Sequence, residues 1–150
     1  MQIEQISYRE DMITMVQVLK QIHNYDKITL CSSYLNFPKY YINELIKSKI
    51  PIEIITSCPR CNGFFNGGFL KNYIPKIYRE FEINFLKKFQ KNNNLQNVSM
   101  YEYDFPDWTN HSKGAWIWEN KSPYPIGTIM GSSNLSYFKK VFDLTQGILS

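Results

Sequence analysis

The most constraining feature of the sequence is the order of three segments between residues 27 and 57. The first, "KITLCSSYL", is rich in apolar and β-branched residues, which is typical of a buried strand. The second, "PKYYINELIKSK", has a proline at a plausible first helical position, where no N–H is needed. The third, "PIEIITS", is again β-rich. A strand, a helix and a strand in this order predict a parallel crossover, and therefore an α/β fold.

Further helices and strands are predicted on both sides of this crossover. A first helix is indicated by apolar residues at helical spacing: Met12, Met15, Val16, Leu19 and Ile22. A long amphipathic helix is indicated in "IPKIYREFEINFLKKFQK" by an apolar stripe of Ile74, Ile77, Phe81, Phe85 and Phe89. Three more strands are predicted in "VSMYEYD", "HSKGAWIW" and "PIGTIMG", the last two as a hairpin. The chain, residues 1–150, is predicted to form one globular domain.

Composition excludes some classes and leaves others open. The hydrophobic content of 43% makes wholesale disorder untenable. A net charge of +4 suits an anionic substrate, an anionic membrane or nucleic acid, and does not choose among them. No apolar run reaches the roughly 18 residues of a membrane span. The acidic N-terminus "MQIEQISYREDM" resembles neither a secretory signal nor a mitochondrial transit peptide. Sequons beside the candidate site favour an intracellular protein, because glycans there would block it.

The segment "NHSKGAWIW" places a histidine two residues before a lysine. On a strand, His111 and Lys113 would share one face. An imidazole can attack phosphorus or transfer a proton, and a lysine can neutralise phosphoryl oxygens in the transition state. "GSSN" follows the next strand, and Ser132 and Asn134 add short hydrogen-bonding side chains. The two motifs, one hairpin apart, predict an anion site, whereas separately each fits an ordinary strand edge or turn.

Other candidate residues have plainer interpretations. Cys58 and Cys61 in "CPRC" resemble half of a zinc site, but no second Cys/His pair follows at suitable spacing, so we expect no bound metal. His23 at the end of the first helix is predicted to be a surface or capping residue. The basic, aromatic segment "KNYIPKIYREFEINFLKKFQK" fits contact with anionic lipid or nucleic acid, or a solvated amphipathic helix.

Taken together, these motifs resemble a known family. His-x-Lys followed by Gly-Ser-x-Asn resembles the signature of the phospholipase D superfamily, the HKD enzymes. "LCSSYLNFP", "TSCPRCNGFFNGGFLKNYIP", "WTNHSKGAWIW" and "GSSN" resemble, in the same order, the C-terminal half of eukaryotic-type phosphatidylglycerophosphate synthases. The resemblance implies a phospholipase D-like α/β domain, with a mixed sheet flanked by helices and a single HKD half.

The resemblance also implies an activity: transfer of a phosphatidyl group from CDP-diacylglycerol to glycerol 3-phosphate, with release of CMP. It implies that His111 is the acid/base histidine and that Lys113 and Asn134 bind phosphoryl oxygens, with Asp143 also in the catalytic set. The substrate-binding residues that it implies are Ser132, Asn36, Asn62 and Gly63. It implies no metal or cofactor, peripheral contact with an anionic membrane, no nucleic-acid partner and a mitochondrial location.

The chain departs from the family pattern at four points. Trp118 stands where the superfamily motif has aspartate, Thr145 where the family has glutamate, and Phe138 where it has arginine. Only one His-x-Lys is present, so an N-terminal HKD half or a second chain is expected to complete the site. The ending "LTQGILS" resembles an unfinished strand, and we expect a domain truncated at both ends. Four alternatives remain: a split subunit, a relic, a dimeric HKD phosphodiesterase such as a nuclease, and an inactive lipid- or partner-binding domain.

Overall fold

The structure, a computed structural model, describes residues 10–61, 73–105, 107–119, 121–131 and 135. Within this part of the chain, the helices are α1 (Glu10–Gln21), α2 (Lys39–Ser48) and α3 (Ile74–Lys91). The strands are β1 (Lys27–Ser32), β2 (Ile52–Ser57), β3 (Val98–Tyr103), β4 (Lys113–Trp118) and β5 (Gly127–Met130). Short 3-10 turns occupy Ile22–Asn24, Pro59–Cys61 and Leu95–Asn97. The predicted α/β organisation, including the β1–α2–β2 crossover, is confirmed.

The five strands form one mixed sheet in the order β3-β2-β1-β4-β5. β1 pairs in parallel with β2, and β2 in parallel with β3. β4 runs antiparallel to β1, and β5 antiparallel to β4. Because β1 is central, five of its six residues are buried, on both faces of the sheet. The predicted hairpin of the last two strands is confirmed, with Gly114 opposite Met130.

The core lies between the sheet and the helices that flank it. On α3, Phe85 and Phe89 are buried, and their ring centroids lie 4.7 Å apart. Phe37, beyond the end of β1, packs edge-on against Phe85 at 6.0 Å. Burying a phenylalanine contributes about 1.5–3 kcal/mol, so this aromatic stack is a major part of what holds α3 on the sheet. The apolar stripe predicted for α3 is confirmed, and its bounds coincide with the predicted segment.

Two predicted boundaries were wrong. The strand predicted through residue 35 ends at Ser32, because the hydroxyl of Ser32 donates to the carbonyl oxygen of Tyr34 at 3.0 Å and the chain turns there. Pro38 does not begin α2 as its first helical residue. It precedes the helix with an extended ψ of 143°, and helical geometry starts at Lys39.

Candidate active site

The candidate site lies at one edge of the sheet. The parallel strands β1, β2 and β3 end at this edge, and the antiparallel β4 begins there. Register places Lys113, the first residue of β4, opposite Ser32, the last residue of β1. The carboxyl edge of parallel strands is where α/β sheets bind ligands, because the turns after neighbouring strands converge there.

His111 and Lys113 are in contact at this edge. The Lys113 ammonium donates to the main-chain carbonyl oxygen of His111 at 2.7 Å and lies 3.1 Å from Nδ1 of its ring. An ammonium has no acceptor, so Nδ1 must accept, and the neutral ring then carries its proton on Nε2. The imidazole is exposed and Lys113 is half-buried. The two residues therefore lie side by side at this edge, with the ring facing solvent.

The route to this contact differs from the one expected. The prediction placed both residues on β4, but the strand begins at Lys113 and His111 lies in the preceding loop. The side-chain oxygen of Asn110 accepts a hydrogen bond from the N–H of Ser112 at 3.0 Å, which closes a local turn. Such a turn competes with strand pairing, so β4 cannot extend back to His111.

Asn110 fixes the loop that carries the histidine. Its carbonyl oxygen accepts hydrogen bonds from the hydroxyls of Ser33, at 2.5 Å, and Ser57, at 3.2 Å. Its N–H donates to the carbonyl oxygen of Cys61 at 3.3 Å. Asn110, the residue before His111, is therefore held against the ends of β1 and β2. The sequence argument missed this role, although each of the two predicted strand segments contains one of the serines, Ser33 in "KITLCSSYL" and Ser57 at the end of "PIEIITS".

Burial sets the electrostatics around Lys113. Loss of solvent lowers the pKa of the Lys113 ammonium, and the Coulombic influence of Cys31 opposes the change. Burial also raises the pKa of the Cys31 thiol. The thiol therefore stays protonated and uncharged at neutral pH, and Lys113 remains the fixed positive charge beside His111.

Several other predicted residues can be placed only in part. Asn36 is buried just beyond the end of β1. Trp118 lies at the far end of β4 from Lys113, where its indole N–H donates to the hydroxyl of Thr29 at 3.0 Å. This packing gives the Trp118 position a structural role. The positions outside the described residues are Asn62, Gly63, Ser132, Asn134, Phe138, Asp143 and Thr145.

A groove of about 670 Å³ runs between the segment after β1 and helix α3. Asn36 is among the residues that line it. Its apolar lining consists of Leu35, Phe37, Pro38, Ile42, Phe81 and Phe85. Its positive charges are Lys39, Lys87, Lys88 and Lys91. The groove thus combines an apolar floor with a cationic rim. No helix among the described residues has the length and apolar character required to span a membrane.

Comparison with known proteins identifies sequences that are similar to the chain. It is 31% identical over 141 residues to a probable CDP-diacylglycerol–glycerol-3-phosphate 3-phosphatidyltransferase of Dictyostelium discoideum, covering 94% of this chain and 24% of that protein. The mitochondrial enzymes of that name from Bos taurus and Homo sapiens are each 28% identical over 127 residues, covering 85% of the chain and 23% of each enzyme. The chain's homologues are phosphatidyltransferases. It spans about a quarter of their length. No family model matches it.

Solved structures establish the fold. Phosphatidylserine synthase of Haemophilus influenzae superposes with a TM-score of 0.62 at 22% identity, covering 74% of this chain and 26% of that one. Polyphosphate kinase of Porphyromonas gingivalis superposes with a TM-score of 0.53 at 12% identity, covering 95% and 25%. The predicted fold class, a phospholipase D-like α/β domain with a mixed sheet flanked by helices, is confirmed.

Proposed function

We propose that this chain supplies one His-Lys half of a CDP-diacylglycerol–glycerol-3-phosphate 3-phosphatidyltransferase of the HKD type. The observation that carries the proposal is the contact of Lys113 with His111 at the carboxyl edge of the sheet. It is supported by similarity to enzymes of that name over 94% of the chain. In this function the chain takes part in phospholipid synthesis, and the names of the animal relatives support a mitochondrial location.

The chemistry divides between two histidines. A histidine from the other half attacks the phosphatidyl phosphorus of CDP-diacylglycerol, the P–O bond to CMP breaks, and a phosphohistidine forms. His111 donates a proton to the departing CMP oxygen. Next, His111 takes the proton from the glycerol 3-phosphate hydroxyl that attacks the phosphohistidine. The P–N bond breaks, phosphatidylglycerophosphate leaves, and the first histidine is regenerated.

In this scheme Lys113 exchanges its contacts with His111 for contacts with the phosphoryl group of the substrate. In the described structure its ammonium is directed to Nδ1 and to the carbonyl oxygen of His111. A phosphoryl group would offer stronger, charge-assisted hydrogen bonds to the same ammonium. Binding of the substrate would thus draw Lys113 towards the phosphoryl oxygens and release Nδ1. The released Nδ1 can then take up a proton, and the imidazolium so formed donates from Nε2 to the departing CMP oxygen. The neutral ring that remains keeps its proton on Nδ1, which leaves Nε2 free to act as a base in the second step.

A second His-x-Lys motif must come from another polypeptide segment. The chain contains only two histidines, and His23 lies in the 3-10 turn between α1 and the start of β1, away from the edge that holds His111. Attack and proton transfer occur on opposite sides of phosphorus, so His111 cannot perform both. We therefore propose that an N-terminal HKD half or another chain completes the site, and that Asn134, Ser132 and Asp143 act from this chain as the resemblance implies.

The test is a reconstitution assay. Pure chain is incubated with labelled CDP-diacylglycerol and glycerol 3-phosphate, alone and with the remaining portion of the Dictyostelium relative. We expect phosphatidylglycerophosphate only in the mixture. His111→Ala should lower its rate by about 10² to 10⁴, the usual contribution of a general acid–base. His23→Ala is the matched control and should leave the rate unchanged.

Each other outcome has a distinct meaning. Turnover by the chain alone that disappears in His111→Ala would contradict the half-site proposal and indicate a homodimer. Hydrolysis of a nucleic acid by the chain alone, again dependent on His111, would favour the nuclease alternative. Absence of turnover in every mixture, with the chain folded, would favour an inactive lipid- or partner-binding domain.

We also propose that the cationic groove beside α3 contacts anionic phospholipid. The support is the apolar floor with lysines at its rim, which suits acyl chains below phosphate headgroups. Each lysine near an anionic surface contributes roughly 1 kcal/mol, so Lys87→Gln with Lys88→Gln should weaken binding to phosphatidylglycerol vesicles about thirty-fold. The control pair is Lys20→Gln with Lys47→Gln, two exposed lysines outside the groove. Equal loss in both pairs in a co-sedimentation assay would contradict a specific surface.

A further inference from the structure

Two thiols and a carboxylate form a cluster where β2 and β3 end. Cys58 follows β2, Cys61 is the last residue of the turn after it, and Asp104 follows β3. Sγ of Cys58 lies 3.2 Å from Oδ1 of Asp104, and Sγ of Cys61 lies 3.9 Å from the same oxygen. All three potential ligand atoms lie within 4.8 Å of one another. Nothing in the proposed phosphatidyl transfer uses these three side chains.

The two sulfur–oxygen separations, 3.2 and 3.9 Å, bracket the edge length of a tetrahedral zinc site. With Zn–S bonds of about 2.3 Å and a Zn–O bond of about 2.0 Å, a tetrahedron separates sulfur from oxygen by about 3.5 Å. We propose that Cys58, Cys61 and Asp104 bind one zinc ion, with a water molecule as the fourth ligand. A pair of thiolates with one carboxylate suits zinc, whereas magnesium and calcium take oxygen ligands throughout.

The surroundings of the cluster fit an ion. Both cysteines are buried, with 4% and 1% of their surface exposed, and Asp104 is exposed, which gives an ion an entry route and a water molecule a place. The guanidinium of Arg60 pairs with Oδ2 of Asp104, and the thiols face Oδ1. Arg60 therefore orients the carboxylate without occupying the oxygen that a metal would use.

Backbone contacts hold the cluster in place. The N–H of Cys58 donates to the carbonyl oxygen of Tyr103 at 3.0 Å, which continues the β2–β3 pairing beyond the strand ends. The N–H of Cys61 donates to the carbonyl oxygen of Cys58 at 3.0 Å and closes the turn. The sequence prediction of no metal at the cysteines depended on the lack of a second Cys/His pair. Asp104 stands 46 residues after Cys58, and only the register of β2 and β3 brings them together.

A zinc ion here would brace the loop that carries His111. Asp104 begins that loop, and the carbonyl oxygen of Cys61 accepts the N–H of Asn110 at 3.3 Å. The ion would therefore position His111 without touching substrate. Binding of zinc by these residues stands independently of phosphatidyl transfer, because the metal is measured directly.

The experiment is metal analysis of the chain purified under reducing conditions, loaded with zinc and dialysed against a weak chelator. We expect one zinc per chain, and thiolate-to-cobalt charge-transfer absorption when cobalt replaces zinc. Cys58→Ser and Cys61→Ser should each abolish that absorption. Asp104→Asn should lower zinc affinity at least 100-fold, and Arg60→Ala by about 10- to 100-fold, as expected for a partner that orients a ligand.

Matched controls are Cys31→Ser, another buried cysteine, and Asp107→Asn, an exposed acid in the same loop. Both should retain one zinc. Zinc below 0.1 per wild-type chain with three titratable thiols, or a disulfide between Cys58 and Cys61 in the reduced preparation, would overturn the proposal. Loss of zinc in Cys31→Ser with the fold intact would also overturn it. If a cysteine variant fails to fold, the zinc content and the cobalt absorption spectrum of the wild-type chain still test the proposal.

Discussion

The ammonium of Lys113 lies 3.1 Å from Nδ1 of His111, so in the resting site these two residues bond to each other. An anion that takes Lys113 away should change the hydrogen bonding of the ring. We predict that inorganic phosphate shifts the Nδ1 resonance of His111 in ¹⁵N-histidine-labelled protein. His23, the other histidine, is exposed in the 3-10 turn after α1 and is the internal control. In Lys113→Met the shift should vanish, and equal shifts of both histidines would contradict the prediction.

The charge of Lys113 should also control the rate. Lys113→Met keeps the length of the side chain and removes the ammonium, and we expect the reconstituted reaction to fall by roughly 10² to 10³. Burial lowers the pKa of Lys113 below its usual 10.5, so the charge is lost at a lower pH than for an exposed lysine. The alkaline decline of kcat/KM should therefore begin below pH 10.5. Lys113→Arg stays charged and should move that decline to higher pH. If wild type and Lys113→Arg show the same alkaline decline of kcat/KM, a group other than Lys113 causes that decline.

Periodicity predicted the elements that follow from local sequence. Helix α3 is predicted with the bounds that the structure shows, because an apolar stripe that includes Phe81, Phe85 and Phe89 repeats at helical spacing. The sequence also drew attention to His111 and Lys113 as one motif, but it placed both on a strand, whereas His111 lies in the loop before β4.

Contacts made by distant residues could not be predicted in the same way. The position of Asn110 depends on hydroxyls from Ser33, which follows β1, and Ser57, which ends β2. The approach of Asp104 to Cys58 depends on the register of two strands separated by helix α3. Such register is set by packing across the whole sheet, which no short sequence window contains.

A buried carboxyl on α3 should make stability depend on pH. Glu82 accepts hydrogen bonds from Thr56 at 3.1 Å and Arg79 at 3.0 Å, and Arg79 also pairs with Glu102. Burial raises the pKa of Glu82 above its usual 4.5 despite these donors. The folded state thus holds more protons than the unfolded state just above pH 4.5, so this contribution to stability falls as pH rises through that window.

Glu82→Gln removes this titration. We expect the free energy of unfolding of wild type, relative to the variant, to decrease from pH 4.5 upwards until the folded-state pKa is passed. Urea denaturation at a series of pH values measures it. Glu80→Gln, which removes an exposed carboxylate from the same helix, is the matched control. A difference between wild type and Glu82→Gln that rises with pH would reverse the assigned sign.

The β4–β5 hairpin should tolerate a methyl group at one glycine and not at another. A Cβ at Gly114 would lie 3.0 Å from the main-chain oxygen of Ile129 and 3.0 Å from the ring of Trp116. Because the first contact is backbone, β5 must move, and we expect Gly114→Ala to cost about 1–3 kcal/mol of stability. A Cβ at Gly127 meets only the side chain of Ile117, at 3.3 Å or more, which can adjust.

Gly127→Ala is therefore the matched control. Its free energy of unfolding should equal that of wild type or exceed it by up to about 1 kcal/mol, because glycine weakens a strand. Gly114 is adjacent to Lys113 and opposite Met130, so movement of β5 there displaces the edge that holds the candidate site. We expect Gly114→Ala to lower the rate of the reconstituted reaction even at temperatures where the variant is fully folded, and Gly127→Ala to leave it unchanged. Thermal unfolding followed with the assay separates the two effects. Equal stability and equal rates in both variants would show that β5 can shift without disturbing Lys113.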